Sequence, residues 1–197
     1  MSEITPTRAA VLELAEERRA MHEGYEFLDE KRLLLAAQML RELRAYEAAW
    51  IVFREALQNA AVALRAAVTH HGLHGVQVYP AAALENAALT MREQSLLGVH
   101  LLTASFDASL GKTEVALNPS PEAEHCRRLF LDTLQQSAAL AAHASNLERL
   151  RHEYRRTERR ARALEDVLMP EIDDTIRELE SRLEEIEQEE AIRVHQL

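Results

Sequence analysis

The sequence predicts an all-α dominated fold. A long antiparallel intrachain coiled coil, made of the N- and C-terminal helices, carries a small head of short helix plus β-hairpin. Three observations predict it. Of the 197 residues 28% are charged and only 5% aromatic, with 5 Gly and 5 Pro, the profile of long helices. Between Arg159 and Glu190 the apolar residues Leu164, Leu168, Ile172, Ile176, Leu179, Leu183 and Ile186 recur at steps of three or four, one narrow stripe on a helix with charge elsewhere. A stripe so narrow calls for a single partner helix of similar length. The third observation is that partner: a matching stripe starts at Val11 and continues to Ala67.

The first helix is signalled by Thr5 or Thr7 as a cap and by Pro6 in a position that suits a helix start. Alternate steps of three and four from Val11 meet Leu14, Met21, Tyr25, Leu28, Leu35, Met39, Tyr46, Ala49, Phe53, Ala56, Ala60, Ala63 and Ala67. Arg18, Arg32 and Glu42 interrupt the stripe. Polar residues there fix register at a cost in stability, and they are expected at its edge or paired with Glu residues of the second helix. A helix from about Thr7 to Val68 would be about 90 Å long at roughly 1.5 Å per residue.

The pattern then gives way to THHGLHGVQVYP, where Gly72, Gly75 and Pro80 signal the end of the helix. Ala81 to Gln94 reads as a short helix. The runs VHLLTASF and KTEVAL around a Gly-bearing turn read as a small β-hairpin. Ser120 before Pro121 signals a new cap and helix start. From there Leu140, His143, Leu147, Leu150, Tyr154, Thr157, Ala161 and Leu164 keep heptad spacing into the second stripe. The chain therefore divides into residues 1–68 and 121–197 as the two long helices and 69–120 as the head. Matched helix lengths favour pairing within the chain over a homodimer in which each stripe pairs with another copy.

Several function classes are disfavoured. A net charge of -10 argues against nucleic acid as the main partner. The single Cys126 excludes an intramolecular disulfide framework. The N-terminal MSEITPTRAAVLEL lacks the layout of a signal peptide, and no apolar window is long enough to span a bilayer. The chain reads as cytosolic, with membrane contact only through other proteins.

No catalytic, cofactor or metal site is expected. GKT at Gly111 to Thr113 has Phe106 where a phosphate loop needs Gly. His70, His71 and His74 are interrupted by Gly72 and read as a surface cluster rather than a metal site. Asp173 and Asp174 diverge by about 100 degrees around a helix and do not form an acid/base pair. The Glu run from Glu178 to Glu190 reads as a solvated face. Pro170, inside the second stripe, removes a backbone hydrogen bond and predicts a kink. The steps of four around it form a stutter, which unwinds a supercoil locally.

TPTRAAVLEL followed by AMHEGYEFLDEKRLLL resembles the N-terminus of the D subunit of the V-type and archaeal-type (V/A-type) rotary ATPases, through Pro6, Thr7, Arg8, Leu14, Gly24, Leu28, Lys31 and Arg32. The stretch from Arg159 is similar to the same family's C-terminal signature, through Ala163, Leu164, Glu165, Leu168, Pro170, Ile172, Thr175, Ile176 and Leu183. GVQVYP resembles an element of its head. The resemblance implies a non-catalytic central rotor subunit that transmits torque between the catalytic ring and a membrane ion-translocating ring. Its implied partners are the catalytic A and regulatory B subunits, the small F subunit of the rotor and the central-stalk subunit seated on the proteolipid ring. It implies a peripheral place on the cytoplasmic side of the membrane. On this reading Pro170, Leu164, Leu168, Ile172, Ile176, Arg18 and Arg32 are the mechanical residues. A coiled-coil adaptor that tethers proteins without rotating is the alternative.

Overall fold

The computed structural model describes residues 5–80, 84, 87–108 and 116–195. Helix α1 spans Arg8–Gln77. Its cap is Thr7, whose Oγ1 accepts a hydrogen bond from Ala10 N–H at 3.2 Å, one of the donors a helix start leaves open. The stripe counted from Val11 faces inward along its whole length, with only Arg18 exposed. The helix runs past the expected stop at Val68 as far as Gly72, whose φ of 71° and ψ of 167° are not helical. The chain then turns helically again up to Gln77. A positive φ is open to glycine at little steric cost, so Gly72 marks the break that the sequence signalled.

Two compact units divide the chain. The first combines the part of α1 up to Ala36 with the chain from Glu153 onward. Here α2, Pro121–Ala163, passes through a π-helical turn at Leu164–Leu168 into α3, Met169–His195. The ion pairs Arg8–Glu187, Arg18–Asp173 and Lys31–Glu153 join residues taken in opposite order along the two strands of helix, so the pairing is antiparallel and within the chain. Leu35, Thr157, Ala161, Ile172 and Leu179 are buried in this unit. Burying one Leu or Ile contributes about 1.5–3 kcal/mol, so the seam supplies the stabilisation and the charged outer faces supply little.

The second unit runs from Ala37 to His152. Its core cluster is made of small residues, Ala63, Ala67 and Cys126, with Leu64, Val76 and Leu129 packed against it. Small side chains let two helices approach closely, which suits the Ala-rich end of the first stripe. Helix α2 begins as the sequence predicts: Ser120 Oγ accepts from Ala123 N–H at 3.2 Å and Ser120 O from Glu124 N–H at 3.1 Å.

The β-hairpin is present, but its strands differ from the expected ones. Strand β1, Ala88–Leu96, pairs antiparallel with β2, Val99–Asp107. The short helix read across Ala81 to Gln94 is therefore corrected: Ala88–Gln94 is strand, while residues 81–83, 85 and 86 lie outside the described residues. VHLLTASF is a strand as predicted, yet its partner precedes it. Of the expected partner KTEVAL, residues 112–115 lie outside the described residues, and Ala116 and Leu117 are not strand. The reason is the turn. Leu97 and Gly98 both have positive φ, 53° and 83°, the requirement of a two-residue turn whose twist matches its flanking strands. Among the described residues of the head, helix is confined to the end of α1, up to Gln77.

Candidate functional site: the hairpin anchor and the helix seam

In the second unit, two side chains of α2 converge on one carboxylate of α1 and one of them goes on to the hairpin. Glu42, on the α1 stripe, is buried. Its Oε1 accepts from Asn146 Nδ2 at 2.9 Å and lies 2.7 Å from His143 Nδ1, both on α2. Asn146 is 3% exposed and pairs with the backbone of β2 as a neighbouring strand would. Leu102 N–H donates to Asn146 Oδ1 at 2.7 Å, and Asn146 Nδ2 donates to Leu102 O at 2.8 Å. Arg149 Nη1 donates to His100 O at 2.7 Å. Leu102 faces Glu93 in the register at a position that does not bond across the hairpin, so its N–H and C=O point outward from the ladder. Unpaired edge groups are costly when buried, and here α2 satisfies them.

The sequence flagged Glu42 as an interruption and placed His143 on the second stripe. It missed Asn146, the residue that joins helix to strand. The usable signal was a polar pair, Glu42 and His143, on two stripes that must face each other.

In the first unit the predicted mechanical residues divide. Leu164 and Ile176 are half-buried and Ile172 is buried. Leu168 is 40% exposed, and half-buried Met169 takes the seam position expected of it. The cause is the π-turn, in which Met169 N–H donates to Leu164 O, five residues back. One extra residue in the turn moves the stripe from Leu164 to Met169 and then to Ile172, absorbing the stutter. Pro170 follows directly on the π-turn, inside a helix that runs without a break from α2 into α3, so its missing N–H falls where the turn is already irregular.

Arg18 pairs with Asp173 across the seam, an Asp rather than the expected Glu. Arg32 does not pair across the seam: it is half-buried at the edge of the stripe and pairs with Asp29 on its own helix, three residues away. Lys31 makes the cross-helix bond there, to Glu153 Oε1 at 2.6 Å. Beside the π-turn, a groove of about 710 Å³ is lined by Arg18, His22, Glu26, Glu165, Pro170 and Asp173 among others.

The other candidates resolve individually. Asp173 and Asp174 diverge as predicted, since Asp174 pairs with Arg177 at 3.0 Å instead of with α1. The Glu run from Glu178 is exposed at every Glu through Glu190. His71 Nε2 lies 2.6 Å from Ser120 Oγ, and its ring stacks on His70 at 4.7 Å. Tyr79 packs edge-on against His71 and donates to Glu124 Oε1 at 3.0 Å. Burial, and then that bond to Glu124, push the Tyr79 hydroxyl above the usual phenol range. Burial likewise raises the Cys126 thiol, which favours the unreactive protonated form. GKT lies outside the described residues. Among the described residues no group of three or more His, Cys, Asp or Glu side chains is placed to hold a metal ion, and no helix is long and apolar enough to cross a membrane.

Fold and site together define a class: an antiparallel coiled-coil protein with a strand hairpin inserted between its helices, whose buried polar groups join one element to another. The family model for the ATP synthase D subunit matches residues 10–197, and the chain belongs to that family. It is 24% identical to the V-type ATP synthase D subunit of Thermotoga neapolitana over 197 residues, 98% of this chain and 96% of the relative. It is 24% identical to the A-type ATP synthase D subunit of Methanoregula boonei over 203 residues, 100% and 96% of the two chains. With the A-type ATP synthase D subunit of Pyrococcus abyssi it shares 25% identity over 198 residues, 97% and 91% of the two.

Proposed function

We propose that this chain is the non-catalytic central rotor subunit of a V/A-type ATP synthase, carrying torque between a ring of A and B subunits and the membrane ion-translocating ring. The observation that supports it most is the seam itself. Two long helices of one chain are pinned in antiparallel register by polar pairs, Arg18–Asp173 and Lys31–Glu153 in the first unit and Glu42 with His143 and Asn146 in the second. Slippage along the seam would dissipate twist, and the more buried of these contacts, Lys31–Glu153 and the Glu42 set, resist slippage because a shifted register leaves them unpaired.

On this reading residues 1–68 and 121–197 form the shaft, and 69–120 the head. The mechanical residues are Pro170 with Leu164, Leu168, Ile172 and Ile176 around the π-turn, and Arg18 and Arg32 at the level of the cross-seam charges. ATP chemistry resides on the A and B subunits, and no cofactor is required of this chain. A bend at the π-turn would let the shaft present different faces to three catalytic sites in succession.

A second row on α1 supports a further partner. Leu43, Trp50 and Leu57 each follow a seam residue by one position, recur every seven residues and are 40%, 44% and 43% exposed. Large apolar side chains at heptad spacing outside the seam suit a helix from another chain. We assign this row to the small F subunit of the rotor. The remaining partner is the central-stalk subunit seated on the proteolipid ring, through which the chain acquires its peripheral place on the cytoplasmic side of the membrane. The test is isolation of the chain under native conditions from its own cells. Co-purification with two large subunits bearing nucleotide-binding loops is expected, whereas a solitary soluble dimer, the behaviour of a free adaptor, would overturn the reading.

A further inference from the structure

We propose that Glu42, His143 and Asn146 form a latch that makes docking of the β-hairpin depend on correct pairing of α1 with α2. The hairpin's link to α2 is a peptide-like one: the Asn146 side-chain amide engages both backbone groups of Leu102, at 2.7 and 2.8 Å. An amide can do this in only one orientation. Rotated by a half turn, it would point its NH2 at Leu102 N–H and its oxygen at Leu102 O, setting like against like.

Glu42 reinforces that orientation. Its Oε1 accepts the second Nδ2 hydrogen of Asn146 at 2.9 Å and is held from the other side by His143 Nδ1 at 2.7 Å. Glu42 belongs to α1, and its hydrogen bonds run to α2 side chains rather than to the hairpin. A slip of α1 against α2 would withdraw the carboxylate, remove one of the three hydrogen bonds that hold the amide in place and so loosen its grip on Leu102. Glu42 is thus a positioning residue: it reports the helix register to the hairpin through Asn146. The inference holds whether or not the chain rotates.

Hydrogen exchange, read peptide by peptide by mass spectrometry on the full chain, tests it. Glu42→Met places an apolar side chain of similar length in the seam, where helix pairing should persist. Exchange in Val99–Asp107 should nevertheless rise at least tenfold, with peptides of α1 around Phe53 unchanged. Glu42→Gln, which can still offer an oxygen to Asn146 Nδ2, should keep hairpin exchange within about threefold of the original. Asn146→Ala should release the hairpin by itself, and adding Glu42→Met to it should produce no further rise, because both act on one connection. Unchanged hairpin exchange in Glu42→Met would overturn the proposal. So would acceleration spread equally over hairpin and helices, or effects of the two substitutions that add.

Discussion

Glu42 and Arg18 interrupt the same stripe, and their fates show what one residue type can carry. Glu42 is buried where two α2 side chains hydrogen-bond it, whereas Arg18 reaches outward to Asp173 from an exposed position. An exposed pair of that kind contributes at most about 1 kcal/mol, while removing one member of a buried set leaves the rest unsatisfied at greater cost. Gly24 illustrates the opposite case, a residue with no steric need to be glycine. A methyl group added there would meet its nearest neighbour, Leu164 Cδ1, at 3.9 Å, ordinary van der Waals contact. Gly24→Ala should therefore stabilise the chain by about 0.5–1 kcal/mol, seen in thermal unfolding as a rise of roughly 2–4 °C for about 1 kcal/mol. A fall in midpoint would show that Gly24 is needed for something the helix geometry does not require. The sequence disclosed the position of these residues but not their partners. Periodicity states which side chains face the seam, whereas a partner depends on the register between helices, which Arg32 shows by choosing Asp29 on its own helix.

Elements were legible to different depths. Both long helices followed from period alone, and Thr7 and Ser120 marked their starts. The hairpin was visible as a hairpin, yet its pairing was not, because Leu97 carries no signature of the left-handed backbone it adopts beside Gly98. The stutter around Pro170 announced an irregularity whose form the count of steps could not supply. A π-turn satisfies the same spacing as a kink by taking one extra residue into the helix, and it leaves Pro170 at the start of α3. This placement has a measurable consequence. Proline inside a helix costs about 3 kcal/mol where the preceding turn is regular, whereas the turn before Pro170 is the π-turn. Pro170→Ala should accordingly change unfolding free energy by less than about 1 kcal/mol, measured by denaturant titration. A gain near 3 kcal/mol would mean that the π-turn does not absorb the proline. In the assembled complex, the same substitution should weaken coupling between ATP hydrolysis and rotation if the bend acts as proposed.

For the molecule as a whole, the composition, the two stripes and the motifs at both ends led to the family, and the match over residues 10–197 establishes it. A single sequence shows less of the partners, since partner surfaces are built from residues that the fold leaves over; Leu43, Trp50 and Leu57 are exposed outside the seam and are assigned to a partner only by proposal. The central claim is that this chain turns inside a ring of other subunits while they hydrolyse ATP. A bead attached through Ser95→Cys, an exposed position on β1, with Cys126 replaced by Ala, would report that motion directly in single complexes held by their A and B subunits. The account predicts unidirectional rotation of the bead in steps of a third of a turn on addition of ATP. Sustained ATP hydrolysis with a bead that stays still would contradict it.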